Sequence, residues 1–341
     1  MRIWVALVAL LVTSTGAEAG RKKKGKKKTE TTEIAVHPSP TAAPAALAPR
    51  AHPGNGDPIS LPCDWPEGAE FHYIHTRKRT NSQYPMLAKV TAIAPIDVTV
   101  AESGNPTRFR YAVGHATFNG PPEIVEPLKP MLAAVDLIPL ELIMEDGVLS
   151  DIRNHLEVVD AMEPGLRKIM PPNTPSATID TTLAMFRDPT TGPGLLLKDP
   201  RIFFAMHCTA IAQDQVVVTK SQTTSPFGGP PIPGTSIIRY LSHDADTVTI
   251  ETIDRLDSEG LKAMLPSIIE KFEVEGNGLE DIDIDEVLAA MPPIDHRMTA
   301  QMVYSRADGF PISIEVHQEL GGPNHPQNRS DTWIWTRVDA D

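Results

Sequence analysis

Two histidines three residues apart, in Phe71-His72-Tyr73-Ile74-His75, are the first candidates for chemistry, since paired imidazoles can open a zinc site. The segment reads as a strand, where a spacing of three sends the rings to opposite faces. Zinc also needs three or four converging ligands, and none lies nearby in sequence, so the pair reads as ordinary surface histidines. The run Glu280-Asp281-Ile282-Asp283-Ile284-Asp285-Glu286 matches the opening of a calcium loop in its spaced aspartates. Glu286 stands where that loop needs glycine, however, and Pro292 where it needs its bidentate glutamate. Helix capping is the better reading: Asp283 or Asp285 starts Val287–Met291, and acids suit a helix N-terminus. An adventitious divalent site is the second reading.

Gly229-Pro230-Pro231-Ile232-Pro233-Gly234-Thr235-Ser236 imitates phosphate-loop spacing without its lysine, and three prolines remove the amides that would cradle phosphate. It reads as a rigid loop. There is no Gly-x-Ser-x-Gly, and His207 beside Cys208 reads as a strand pair whose side chains diverge. Asn328-Arg329-Ser330 fits a glycosylation sequon, a pattern that chance often produces. Met131, Met162, Met185, Met206, Met264 and Met291 lie in apolar segments, as core or as the lining of an adaptable pocket. No catalytic, cofactor-binding or metal-binding residue is assigned, and no cofactor is expected.

The start of the chain is more informative. Arg2, an apolar stretch Ile3–Val12 and a close on Ala17-Glu18-Ala19 follow the order of a secretory signal, predicting cleavage between Ala19 and Gly20. About ten apolar residues are too few to span a bilayer core, so no permanent anchor is expected. No cysteine follows the site to carry a lipid. Arg21, Lys22, Lys23, Lys24, Lys26, Lys27 and Lys28 come next, seven cations in eight residues. Such a block stays solvated, either as a disordered spacer or as a tether to an anionic surface. Cations directly after the apolar stretch run against the usual charge bias of insertion. Residues 29–57, rich in Thr, Ala and Pro, read as a semi-rigid linker, so 20–57 is a disordered segment and 58–341 a single domain.

Residues 1–57 hold nine Lys/Arg and four Asp/Glu, leaving 22 cations and 40 anions in the body, net −18. An acidic body argues against nucleic-acid backbone binding by the folded part. The 33 prolines, about twice the usual share, exclude long uninterrupted helices. Cys63 and Cys208 are expected to form a disulfide in an exported chain, the alternative being two buried thiols.

Period-two alternation dominates the body: Phe71 and Tyr73; Phe109, Tyr111 and Val113; Ile312, Ile314 and Val316; Trp333 and Trp335. Val216–Thr219, Ile237–Leu241 and Val248–Ile253 read as further strands. Asp146-Gly147 and Asp308-Gly309 each separate two such runs and predict tight hairpins. Helices are predicted from Ile124 to Val135, after Asn154 and Glu157 with Leu156, Val159 and Met162 inward, and from Ser176 to Phe186. Another is predicted over Ser258–Phe272, kinked at Pro266. Strands and helices segregate, so the class is α+β with a curved antiparallel sheet, an incomplete barrel, and short interspersed helices.

In its strand–Asp-Gly–strand hairpins, residues 140–152 and 298–316, the chain resembles the bacterial lipoprotein-carrier type. That resemblance implies a curved, incomplete barrel wrapped around helices and an apolar cavity, and it transfers no site residue. The resulting expectation is a non-enzymatic envelope protein, periplasmic or extracellular, binding a lipid, another apolar ligand or a protein partner. A hydrolase with dispersed site residues, or an assembly component without a small-molecule site, are the alternatives.

Overall fold

Strand pairing organises this chain more than helix formation does. The computed structural model describes residues 51–81, 85–126, 129, 137–169, 176–223, 230–273, 293–321 and 328–338. Its strands are β1 (Asn55–Ser60), β2 (Glu70–Asn81), β3 (Thr91–Glu102), β4 (Thr107–Val113), β5 (Thr117–Asn119), β6 (Leu140–Glu145) and β7 (Val148–Ile152). After the helices come β8 (Ala210–Gln213), β9 (Val216–Thr223), β10 (Ile232–His243), β11 (Thr247–Leu256), β12 (His296–Ser305), β13 (Pro311–Leu320) and β14 (Arg329–Val338). Helices are α1 (Pro122–Val125), α2 (His155–Ile169), α3 (Ser176–Arg187), α4 (Gly192–Leu196), α5 (Lys198–Phe203) and α6 (Ser258–Glu273).

Twelve strands form one antiparallel sheet in the order β7-β6-β4-β3-β2-β14-β13-β12-β11-β10-β9, with β5 beside β3. It is two meanders joined where β14 pairs with β2, Trp333 opposite Arg77 and Trp335 opposite His75. The sheet curves without closing, β7 and β9 being its two ends. β1 and β8 make a separate two-stranded sheet, and His52 bridges Val216, so the described fold includes residues that the linker reading placed within 20–57.

α2–α5 all lie between β7 and β8 in sequence, and their apolar sides join the sheet in one core. Val158, Val159, Met162 and Leu166 come from α2, Leu183 and Phe186 from α3, and Ile202 and Phe203 from α5. They meet Tyr73, Tyr111, Leu142 and Trp335 from the strands. α2 runs for 15 residues through Pro164, whereas α4 and α5 are short and carry Pro193 and Pro200 in their first turns.

The Asp146-Gly147 turn is as expected, with both residues at positive φ (50° and 77°) joining β6 to β7. Gly147 also packs on the disulfide: a Cβ there would stand 2.7 Å from the Cβ of Cys208. Gly147→Ala should therefore destabilise the protein by about 1–3 kcal/mol, measured by urea denaturation, because turn strain and a clash coincide. The Asp308-Gly309 connection differs from a two-residue turn. Only Gly309 has positive φ (72°), Ser305 and Phe310 close the loop, and Asp308 bonds the Phe310 amide through its carboxylate.

Other expectations need correction. Ile312 is exposed at 36%, because a register shift between Val303 and Tyr304 pairs Tyr304 with Pro311 and turns Ile312 outward. Leu156 is 48% exposed, and Val158 takes the inward position on α2 instead. Asn154 does not cap that helix with its side chain. It accepts from the Glu141 amide (2.9 Å) and donates to the Pro139 carbonyl (2.9 Å), anchoring the start of β6. Ile232-Pro233-Gly234 is not loop but the first part of β10, paired with Ser221–Thr223. α6 starts at Ser258 as read, with the Asp257 carboxylate receiving the Gly260 amide (2.8 Å) and Leu261 buried.

A candidate ligand cavity between sheet and helices

The alternation that starts at Phe71 continues inward along β2 through Tyr73, His75 and Arg77, and along β14 through Asp331, Trp333 and Trp335. Because the two strands are neighbours, these residues form one block on the inner face of the sheet. His75 lies 4.4 Å from the Trp335 ring, and the Arg77 guanidinium 4.7 Å over Trp333. Lys198, from α5, places its ammonium 5.1 Å from the Trp333 ring centre. Such contacts hold a cation against an aromatic face while its solvent shell is largely removed.

At one end the block is charged. Asp331, 1% exposed, accepts from Arg79 Nε (2.6 Å) and Arg329 Nη2 (2.5 Å), with Arg77 Nη2 at 3.5 Å. Burial alone would raise the Asp331 carboxyl. The Arg79 hydrogen bond and the charges of Arg77, Arg329 and Arg79 outweigh it and hold the group below its ordinary value. Burial lowers Arg77 to about 10 despite Asp331, so it remains charged at neutral pH. Asp331→Asn leaves three clustered guanidiniums without their counter-ion. It should cost about 3–5 kcal/mol at pH 7 in denaturant titrations, and the loss should shrink at low pH, where wild-type Asp331 is itself protonated.

At the other end the inner face is aromatic. Trp65 packs edge-on against Phe109 and Phe310, and its indole donates to the Asp308 carbonyl (2.6 Å). His207 sits in this cluster with Phe203, Phe204, Phe310 and Tyr304, and burial pushes its imidazole down to about 3. The reading of His207 and Cys208 as a strand pair is therefore replaced: they occupy a turn, with Cys208 at φ 59°. Cys208 is bridged to Cys63, their α-carbons 4.7 Å apart, which ties the first segment of the fold to its middle.

Between sheet and helices, beside the His75–Trp335 contact, lies a cavity of about 60 Å³. Tyr111 and Trp335 form its sheet side, Val158 and Met162 of α2 its helical side, and Asp199 and Lys198 of α5 its polar part. Val113, Leu137, Ile138, Leu140 and Leu195 also line it and are only half-buried, so the rim is apolar. The volume admits a few water molecules or a small head group, and no long chain. Asp199 is 7% exposed, and among the described residues neither carboxylate oxygen has a hydrogen-bond donor. Burial pushes the His75 imidazole down to about 3, against the pull of Asp199, so at neutral pH it is uncharged.

Of the sequence-assigned positions, Cys63 and Cys208 are brought together. His72 and His75 fall on opposite faces, as strand geometry requires, His72 meeting Asp97 at 2.7 Å on the outside. His75 is nevertheless a core residue, 1% exposed, and not the surface histidine expected. Met162 reaches the cavity and Met206 is buried in the core, whereas Met131 and Met291 lie outside the described residues. So do Ala19, Gly20, the basic run Arg21–Lys28 and the acidic run Glu280–Glu286.

The sequence reading missed Arg77, Asp199 and Asp331. The alternation through Tyr73 and Trp333 carried the signal for Arg77 and Asp331, whereas Asp199 in Leu197-Lys198-Asp199-Pro200 had none. Among the described residues no group of three or more His, Cys, Asp or Glu is placed to hold a metal ion, and no helix is long and apolar enough to cross a membrane. Compared with known proteins, the chain matches no family model and no curated protein sequence.

Proposed function

We propose that this is an exported, non-enzymatic envelope protein that binds an apolar ligand between its curved sheet and α2–α5. The observation that carries this reading is the cavity itself: its walls come from both layers, they are mainly apolar, and its rim reaches the surface. A cavity of about 60 Å³ holds only one end of an amphiphile, so a chain enters as the helices part from the sheet. The open sheet supports such movement, since no strand pairing joins β7 to β9. Each methylene so buried contributes about 0.8 kcal/mol, enough for micromolar binding by a chain of moderate length.

The same arrangement supports kinship in design with the lipoprotein-carrier type, an open antiparallel sheet with helices against one face. The disulfide supports an oxidising compartment, periplasmic or extracellular. Export proceeds through cleavage at Ala19–Gly20, and Arg21–Lys28 then holds an acidic body near anionic head groups. Native mass spectrometry of the mature protein from its own host tests the reading. A stoichiometric apolar adduct, with Gly20 as the first residue, is the expected result; ligand-free protein throughout would remove the basis for it.

A further inference from the structure

We propose that the cavity selects a cationic head group, an alkylammonium being the simplest, with the Asp199 carboxylate as its acceptor and the Tyr111 and Trp335 rings beside it. This rests on the apolar-ligand reading above and adds the chemistry of the head group.

A carboxylate that is 7% exposed and receives no hydrogen bond is an unfinished site. Buried charges are ordinarily paired, because removal from water costs more than isolated burial returns. No nearby cation forms a hydrogen bond or a close ion pair with it among the described residues. The Lys198 ammonium, adjacent in sequence, is drawn to Gln318 Oε1 (3.3 Å) and the Trp333 ring. Arg77 leans on Trp333 and lies 3.5 Å from Asp331; it feels the charge of Asp199 as well but gives it no hydrogen bond. His75 is uncharged. No ion pair within 4 Å reaches Asp199 among the described residues.

The surroundings favour an ammonium over an anion. Aromatic rings line the cavity beside the carboxylate, and their faces attract cations. An anion would meet Asp199 itself, and the lining ammonium of Lys198 already has partners. The room fits a small head group, while the half-buried rim of Ile138, Leu140 and Leu195 receives the start of an alkyl tail.

The test compares dodecylamine, dodecanol and dodecanoate, each below its micellar concentration at pH 7.5, by isothermal titration against the full mature protein. Dodecylamine should bind about 10- to 100-fold more tightly than dodecanol, the range of a hydrogen bond to a charged group. Asp199→Asn should remove that preference, bringing dodecylamine to the affinity of dodecanol for the same variant. Lys198→Gln, which removes a like charge from the cavity lining, should strengthen dodecylamine binding and keeps the inference testable if Asp199→Asn fails to fold. Tightest binding of dodecanoate, or an amine preference that survives Asp199→Asn, would overturn the head-group assignment. Equal binding of all three would overturn it too, yet leave the apolar-ligand reading standing. Binding of none would defeat both.

Discussion

Replacing both Cys63 and Cys208 by serine is expected to lower the stability of the folded body by about 2–5 kcal/mol. The bridge closes a loop of 145 residues, and loop-closure entropy is largest for such long separations. It also fixes a segment with little regular structure of its own. Leu61 and Trp65 enter the core on either side of Cys63, held besides by the Leu61–Thr209 backbone bond and the indole bond to Asp308. Without the bridge, that segment must order itself from these contacts and the short β1–β8 pair. Guanidinium titrations of the wild type with and without reductant, beside the double serine variant, decide the matter. The reduced wild type and the variant should coincide at the lower midpoint; equal midpoints for all three would show that the bridge constrains nothing.

The second large effect is on acid stability. His75 and His207 are both buried uncharged, their folded values pushed down to about 3 from an ordinary value near 6.5. The unfolded chain therefore binds protons that the folded chain refuses. Stability is complete above about pH 6.5 and falls as pH drops towards 3, by about 1.4 kcal/mol per pH unit for each histidine. At pH 4.5 the two together forfeit about 5 kcal/mol, comparable with the whole net stability of many domains. Asp331 contributes with the same sign lower down, since its folded value lies below its unfolded one and its support is lost as pH falls through it. Stability measured by urea titration between pH 7.5 and 4.5 should fall steeply for the wild type. In His207→Phe, which keeps an aromatic ring among Phe203, Phe204 and Phe310, the slope should be about half. An unchanged slope would mean that His207 takes up its proton within the fold as readily as in the unfolded chain.

How far the fold was legible in the sequence depends on which physical signal each element carries. The α+β class, the β6–β7 hairpin and the disulfide were legible, because alternation, an Asp-Gly pair and two lone cysteines are local patterns with few solutions. The placement of Ile312 was not, since it hangs on a register shift set by the partner strand β12. Asn154 looked like a cap and instead serves β6, a tertiary use that no helix pattern discloses. The candidate site divides in the same way. His75, Arg77, Asp331 and the two tryptophans follow from continuing one alternation along two strands, provided polar residues are allowed inside. Asp199 acquires meaning only when α5 is laid against the sheet, and the cavity exists only between the layers.

The most direct test of apolar binding between sheet and helices is fluorescence quenching by dodecanol brominated near its hydroxyl end. Bromine quenches tryptophan at contact range, and the described residues hold Trp65, Trp333 and Trp335. Trp335 lines the cavity, whereas Trp65 lies in the aromatic cluster beside the Asp308 loop. The account predicts saturable, stoichiometric quenching that is largely lost in Trp335→Phe and kept in Trp65→Phe. Quenching that never saturates, or that persists undiminished in Trp335→Phe, would contradict it.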